Sequence, residues 1–279
     1  MKIDDYRHTS HELWQAMAPG WERWRAQLSQ ALTPVREWLV SELAPRPGQT
    51  VLELSAGAGD TGFRAAAVVG EHGRLISTDF SAEMVEVARR RGAELGLENV
   101  EYRVMDAEDL ELDADSVDGV LSQSGYMLMA DPGRALAETR RVLRPAGRLA
   151  LSVWGAPESN PWAAVPAGFL IQRGHVPSPE PGAPGIFAMA SEQRTRTLLS
   201  DAGFTAVTSV TVPVHFAFRD LEDYERWLLD VAGPLALAVR ELSEAERQAL
   251  GGHLEQAFTP FAGAGGYKVP GAALCAVAT

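Results

Sequence analysis

The 279-residue chain is 46% hydrophobic and 22% charged, a balance that places it with ordinary globular proteins and away from disordered or fibrous classes. Its formal net charge of −12 argues against nucleic acid or an acidic membrane as a partner, because such affinity rests on Lys and Arg neutralising phosphates. One cysteine, Cys275, cannot build an internal disulfide, a thiolate zinc site or an iron–sulfur cluster, and with lysine only at Lys2 and Lys268 a Schiff-base chemistry has very few candidates.

At the amino terminus, Met1-Lys2-Ile3-Asp4-Asp5 is too acidic for a signal peptide, and no apolar run approaches a membrane span, so a cytoplasmic protein is expected. Residues 1–45 carry helical spacing, broken at Pro19-Gly20 and restarted at Thr33-Pro34, and are read as an appended helical cap or lid. Trp14, Met17, Trp21 and Trp24 repeat there at helical spacing, a stripe suited either to packing the helix on its own core or to walling a pocket. His8-x-x-His11 has the spacing of two metal ligands on one helix, but no third ligand accompanies it, and no metal is assigned.

From residue 48 to 155, β-rich runs alternate with helical patterns, which is the signature of βαβ units and a parallel sheet. The runs are Thr50–Leu54, Arg74–Asp79, Val100–Met105, Val117–Ser122 and Arg148–Trp154. Ser81 is placed to cap one intervening helix, and Asp131-Pro132 opens another that stops at Arg144-Pro145-Ala146-Gly147. A Pro/Gly-rich stretch, Gly155 to Gly185, follows and is read with its flanks (156–190) as a lid-like insertion at the ligand-facing end of the sheet. Residues 191–279 then supply a strand run from Ala206 to Phe218, helices including a capping box at Ser243 and Glu246, and a last apolar run, Ala272–Ala278, expected as an edge or penultimate strand. Residues 46–279 thus form one α/β domain with a mostly parallel, doubly wound sheet of seven strands and helices on both faces.

The segment Val51 to Gly62 reads as strand, glycine loop and helix start, with room for a ligand to approach the backbone and meet free N–H groups. Its Gly57-x-Gly59-x-x-Gly62 spacing, with Asp79 ending the next strand, also matches a dinucleotide fingerprint, so the glycines alone leave a nicotinamide-dependent oxidoreductase open. Glu53 separates the two: a carboxylate at the loop's mouth repels a pyrophosphate and favours the cationic end of S-adenosylmethionine. A third acidic strand end, Asp106-Ala107-Glu108, stands where an adenine amine needs an acceptor.

These residues resemble the class I S-adenosylmethionine-dependent methyltransferases, in the branch that includes the ubiquinone and menaquinone methyltransferases. The resemblance is carried by VLELSAGAGDTG (51–62), STDFSAEMVEVAR (77–89), VMDAEDL (104–110), the stretch 117–154 and DAGF (201–204), and it is densest over 48–155. It implies a Rossmann-like fold in which Glu53, Gly57 and Gly59 hold the methionine moiety and Asp79 takes the ribose hydroxyls. Phe80 and Met84 would pack on adenine, Asp106 and Ala107 would meet the adenine edge, and Gln123 would line the transfer site. Ser55 departs from the family, which commonly has glycine there. Tyr126, His8, His11 and His215 are the candidates for a general base, the acceptor is expected to be small and largely apolar or aromatic, and a non-catalytic S-adenosylmethionine-binding role stands as a further alternative. Asn160-Pro161-Trp162 has part of the Asn-Pro-Pro-Tyr signature of adenine amino-methyltransferases, but lacks its second proline and follows the fifth strand, and is set aside.

Overall fold

The computed structural model describes residues 3–180 and 182–279; Met1 and Lys2 of the acidic amino terminus, and Pro181 of the 156–190 stretch, lie outside the described residues. Three helices come first, α1 (Ile3–Arg23), α2 (Arg25–Ala31) and α3 (Thr33–Leu43). The alternating core follows as β1 (Thr50–Glu53), α4 (Gly62–Val69), β2 (Arg74–Asp79), α5 (Ala82–Glu94), β3 (Val100–Val104), β4 (Val117–Gln123), α6 (Pro132–Val142) and β5 (Leu143–Trp154). The remainder is α7 (Pro161–Gln172), α8 (Glu192–Asp201), β6 (Thr208–Phe218), α9 (Leu221–Val231), α10 (Pro234–Arg240), α11 (Glu244–Phe258), β7 (Ala262–Gly263) and β8 (Gly266–Ala278).

The strands pair in the order β3-β2-β1-β4-β5-β8-β6, with the two-residue β7 attached only to β8. The first five are parallel, and β8 runs antiparallel between β5 and β6, so the last apolar run takes the penultimate place. Successive strand residues face opposite sides of a sheet. Because Val120 and Leu121 on β4, and Leu149, Ala150 and Leu151 on β5, are all fully buried, both faces of the centre are covered, as a doubly wound sheet requires. The capping signals hold: Ser81, Asp131 and Ser243 each accept a backbone N–H of the helix they open, and Glu246 completes the box with Ser243.

Two local expectations are corrected. Pro19-Gly20 does not break the first helix; α1 runs through it to Arg23, and Trp24 N–H still donates to the Gly20 carbonyl at 3.0 Å. A proline inside a helix costs about 3 kcal/mol, and here tertiary packing outweighs that cost: Leu13 and Met17 pack on Ala236, Ala18 packs on Met84 and Val87, and the Trp24 indole N–H donates to Asp230 Oδ2 at 2.8 Å. Gly20 is a point of close approach, where a Cβ would sit 2.2 Å from the backbone oxygen of Asp230 on α9. The second correction lies in the Pro/Gly-rich stretch, much of which is the helix α7. Pro161 occupies its first turn, where no N–H is missed, and its nearly all-apolar sequence shows no polar face from which a helical period could be read. The buried Asn160 side chain ties the entry to this helix to β8, accepting from Ala272 N–H at 2.9 Å and donating to the Ala272 carbonyl at 3.1 Å.

The crossing at Gly20 generates a stability prediction. An exposed helical Gly→Ala change is worth about 1 kcal/mol in the helix's favour, but Gly20→Ala drives a methyl into backbone and should cost about 1–3 kcal/mol net, the usual penalty for overpacking. Thermal denaturation reads the sign; a raised midpoint would remove the close contact from the account.

Candidate functional site

β1 pairs with β2 on one side and β4 on the other, so the strand order reverses there, and a crevice opens beyond the carboxyl ends of the strands. The loop leaving β1 is shaped by left-handed residues, with φ of 54° at Ser55, 54° at Gly57 and 80° at Gly59. Ser55 therefore holds a conformation that glycine adopts more readily, which explains glycine as the commoner residue at this position.

Two buried carboxyl groups fix the loop. Glu53, 2% exposed, accepts the Gly62 N–H at the start of α4 at 2.6 Å and the Ser77 hydroxyl of β2 at 3.1 Å. Desolvation outweighs these bonds and pushes its carboxyl up to about 8. Asp79 accepts Gly57 N–H and Ser81 N–H, each at 3.0 Å, one on each oxygen, and burial raises it too. Since a carboxylate offers about four acceptor positions, each Asp79 oxygen keeps capacity for a further donor. Asp106 accepts Glu108 N–H at 2.9 Å, and Gln123 Oε1 accepts the Thr61 hydroxyl at 2.9 Å.

Glu53, Ser55, Gly57, Asp79, Phe80, Met84, Asp106, Ala107 and Gln123 line one cavity. Its far wall is aromatic: Trp154, Trp162, Phe216 and Trp227 stand edge-on or tilted to one another at 4.8 to 6.0 Å between ring centres. Tyr6, Ser10, Trp14 and Trp21 of α1 close another side. With its open mouth the space amounts to about 1750 Å³.

Residues 45–166 match the family described as "Methyltransferase domain". An arsenite methyltransferase of Halobacterium salinarum is 41% identical over 109 residues, 39% of this chain and 28% of its own length. A ubiquinone/menaquinone biosynthesis C-methyltransferase of Acidiphilium cryptum is 35% identical over 146 residues, 51% of this chain and 57% of its own. The chain thus spans less than two thirds of these relatives. Among solved structures, a SAM-dependent methyltransferase of Aquifex aeolicus superposes with a TM-score of 0.51 at 25% identity, covering 67% of this chain and 87% of that one. Residues 45–166 are a methyltransferase domain, similar to S-adenosylmethionine-dependent enzymes of known structure. The domain resembles the ubiquinone/menaquinone branch.

Within this domain Gly59 is the exception among the expected cofactor residues. It does not line the cavity: a Cβ there would lie 2.4 Å from the Phe63 ring, and its N–H donates to Ala56 O at 2.9 Å, so it shapes the loop from behind. The four base candidates are also displaced. Tyr126 is fully buried, its hydroxyl 2.6 Å from that of Thr139, and burial raises it far above the ordinary phenol range. His8 is exposed beside Glu12, and His215 is exposed on β6 with its side chain on the opposite face from Phe216. His11 packs edge-on against Phe80 at 5.5 Å without reaching the cavity wall. Sequence reasoning missed Arg25, Ser29, Arg36, Trp162, Phe216 and Trp227. Phe216 was within reach, since β6 alternates buried Val212, Val214, Phe216 and Phe218 with exposed residues; the others needed tertiary structure to converge.

Glu53 makes the apo protein's stability depend on pH in a definite sense. Folded, its carboxyl keeps a proton up to about pH 8; unfolded, it loses it in the ordinary carboxylate range. Between those limits the native state binds more protons than the unfolded state, so this group's contribution falls as pH rises and levels off above about 8. Glu53→Gln, neutral throughout, should therefore show a flatter loss of thermal stability than the native chain between pH 6 and 8. The difference amounts to as much as about 1.4 kcal/mol per pH unit. Identical slopes would place the titration elsewhere.

Proposed function

We propose that the protein transfers a methyl group from S-adenosylmethionine to a small, largely apolar or aromatic acceptor. The observation that carries this reading is the ordered set of carboxyl groups, Glu53, Asp79 and Asp106, at three strand ends around one glycine loop, lining one cavity together with an aromatic wall. The residues present fit the donor. Asp79 has acceptor capacity for two ribose hydroxyls, Phe80 and Met84 would offer apolar surface to adenine, and Asp106 and Ala107 would meet its edge. Glu53, Ser55 and Gly57 would hold the methionine end, and Gln123 would line the transfer point. The donor supplies an electrophilic methyl on a sulfonium. The protein's part is to hold both reactants in line and keep water out, a contribution that reaches several kcal/mol in well-oriented systems.

The cap of residues 1–45 and the 156–190 segment are proposed as the cover of this site on the 46–279 domain. In support, Tyr6, Trp14 and Trp21 from the first and Trp162 and Ile186 from the second line the cavity. No histidine lines it, so a side-chain imidazole base forms no part of the proposal. Relatives named for ubiquinone and menaquinone biosynthesis are in keeping with an aromatic acceptor. An arsenite acceptor is not supported, because a soft metalloid calls for thiolates and Cys275 is fully buried on β8, its thiol pushed up to about 12. No helix among the described residues is long and apolar enough to cross a membrane; the acidic charge supports a small-molecule acceptor over a nucleic acid, and a cytoplasmic site of action is part of the proposal.

Isothermal titration with S-adenosylmethionine, S-adenosylhomocysteine and NAD tests the donor. The two adenosyl sulfur compounds should bind and NAD should not. Asp79→Ala, which removes charge-assisted hydrogen bonds of about 1.5–3 kcal/mol each, should weaken S-adenosylhomocysteine at least tenfold, and Asp79→Asn, which keeps an acceptor for the loop N–H groups, should do so by less. Unchanged affinity in a folded Asp79→Ala protein would move the ribose elsewhere.

A further inference from the structure

The charges on the cavity wall are not evenly placed. The acids stand around the glycine loop and the β3 exit, and each is engaged: Glu53 and Asp79 by backbone N–H groups, Glu108 by Arg7, Asp60 by Arg91 at 4.0 Å. Two cations on the wall have no acid. Arg36, in the first turns of α3, is 3% exposed, yet no carboxylate of the described residues lies within 4.0 Å of it. Among the described residues its only hydrogen-bond partner is Ser29, whose hydroxyl and carbonyl accept from the two terminal nitrogens at 3.2 and 3.4 Å. Its Nε–H is buried with no partner at all. Arg25 lies one helical turn before Ser29 on α2, so the two share a face, and Arg25 has neither hydrogen bond nor ion pair among the described residues.

A buried guanidinium without an anion is expensive, and its ordinary native solution is a carboxylate or phosphate gripped through two parallel N–H bonds. In Arg36 the edge built from Nε and its neighbouring terminal nitrogen carries the free donor, which is the edge such a fork uses. The cost shows in the side chain's own chemistry, since burial pulls its proton affinity below the ordinary value, and Asp60, the largest compensating charge, forms no ion pair with it. The surroundings also speak for an organic anion over an inorganic one: Leu28 and Leu32 flank the cluster, and Phe216 and Trp227 stand on the same cavity wall.

We propose that Arg36, with Ser29 and Arg25 beside it, is a carboxylate-binding subsite of the cavity. Two sources have that chemistry, the methionine end of the methyl donor and a carboxylate on a second small molecule in the cavity, the methyl acceptor under the proposed function; the first rests on the methyltransferase reading, while binding of the second is read without it. Two ligand pairs separate them. S-adenosylhomocysteine and 5′-methylthioadenosine differ in the amino-acid end, and 4-hydroxybenzoate and 4-hydroxybenzamide differ in the carboxylate. Calorimetric affinities are measured for the native chain, Arg36→Met and Arg36→Lys, with thermal midpoints to show that each is folded; the lysine variant keeps the charge and loses the fork. Arg36→Met should cost the carboxylate-bearing member of one pair tenfold or more while its neutral counterpart moves less than twofold, and Arg36→Lys should fall between. A response in the adenosyl pair assigns the donor's carboxylate, and one in the benzoate pair assigns the acceptor's. If no pair discriminates, or both members of a pair weaken equally, the subsite is overturned. Failure of the native chain to bind either adenosine compound would instead overturn the donor assignment, leaving the benzoate pair to decide on the subsite.

Discussion

Glu53 is where the sheet, the glycine loop and the following helix are tied together, and the rest of the site is arranged around that tie. Its backbone belongs to β1, one carboxyl oxygen holds the first N–H of α4, and the other holds the Ser77 hydroxyl of β2. The contact is so close that a side chain at Gly62 has no space, since a Cβ there would lie 2.2 Å from Glu53 Oε2. Asp79 repeats the device one strand over, holding Gly57 on the loop and Ser81 at the cap of α5. Both carboxyls bear a desolvation cost that raises them. A buried acid that fixes backbone and still faces a cavity can give up its proton when a cation arrives and repels a pyrophosphate if ionised, which is the proposed difference from a pyrophosphate-binding loop with similar glycine spacing.

The first helix shows why core packing and pocket wall need not be alternatives. Tyr6 donates to the Leu128 carbonyl at 2.8 Å, and Arg7 pairs with Glu108, whose other oxygen accepts Asp131 N–H at 3.1 Å. At the far end Trp24 and Arg23 hold Asp230 of α9. Between these anchors Leu13, Met17 and Ala18 are core residues, while Trp14 and Trp21 are only partly buried and present surface to the cavity. A helix so pinned moves only by breaking an ion pair and several buried contacts together, so its packing and its enclosure of the site depend on the same residues.

Legibility in the sequence followed the range of the physics. The Rossmann-like core was readable because each signal is local: alternating β runs, Ser81 and Asp131 as caps, acids at strand ends. Arg74–Asp79 even has the same bounds in sequence and structure. What failed was long-range. Pro19-Gly20 is a break by local propensity and a helix crossing in fact, because only the position of Asp230 on α9 reveals what Gly20 is for. Histidines and a tyrosine were chosen as bases by residue type, but placement depends on which face of β6 His215 occupies and on Tyr126 meeting Thr139 behind the wall. Arg36 carries no sequence signal, since an arginine on an amphipathic helix is ordinarily solvated; its missing acid is visible only once α2 and α3 are folded onto the sheet.

The distribution of charge across the cavity bears on the proposed chemistry as a whole. The acids of the wall are engaged around the glycine loop, while Arg36, within the fields of Asp60 and Glu53, and Arg25 form no ion pair among the described residues. Such a division disfavours a cationic amine as acceptor, because it would meet guanidinium groups instead of carboxylates, and it favours a neutral or anionic one. Under the proposed activity, an acceptor with an acidic oxygen or carbon would also lessen the need for an imidazole, because positive charge nearby lowers the acceptor's own pKa. Under the proposed activity, two arginines without an ion pair and no histidine on the wall among the described residues are in keeping with an acceptor that is bound in its ionised form and needs no side-chain base.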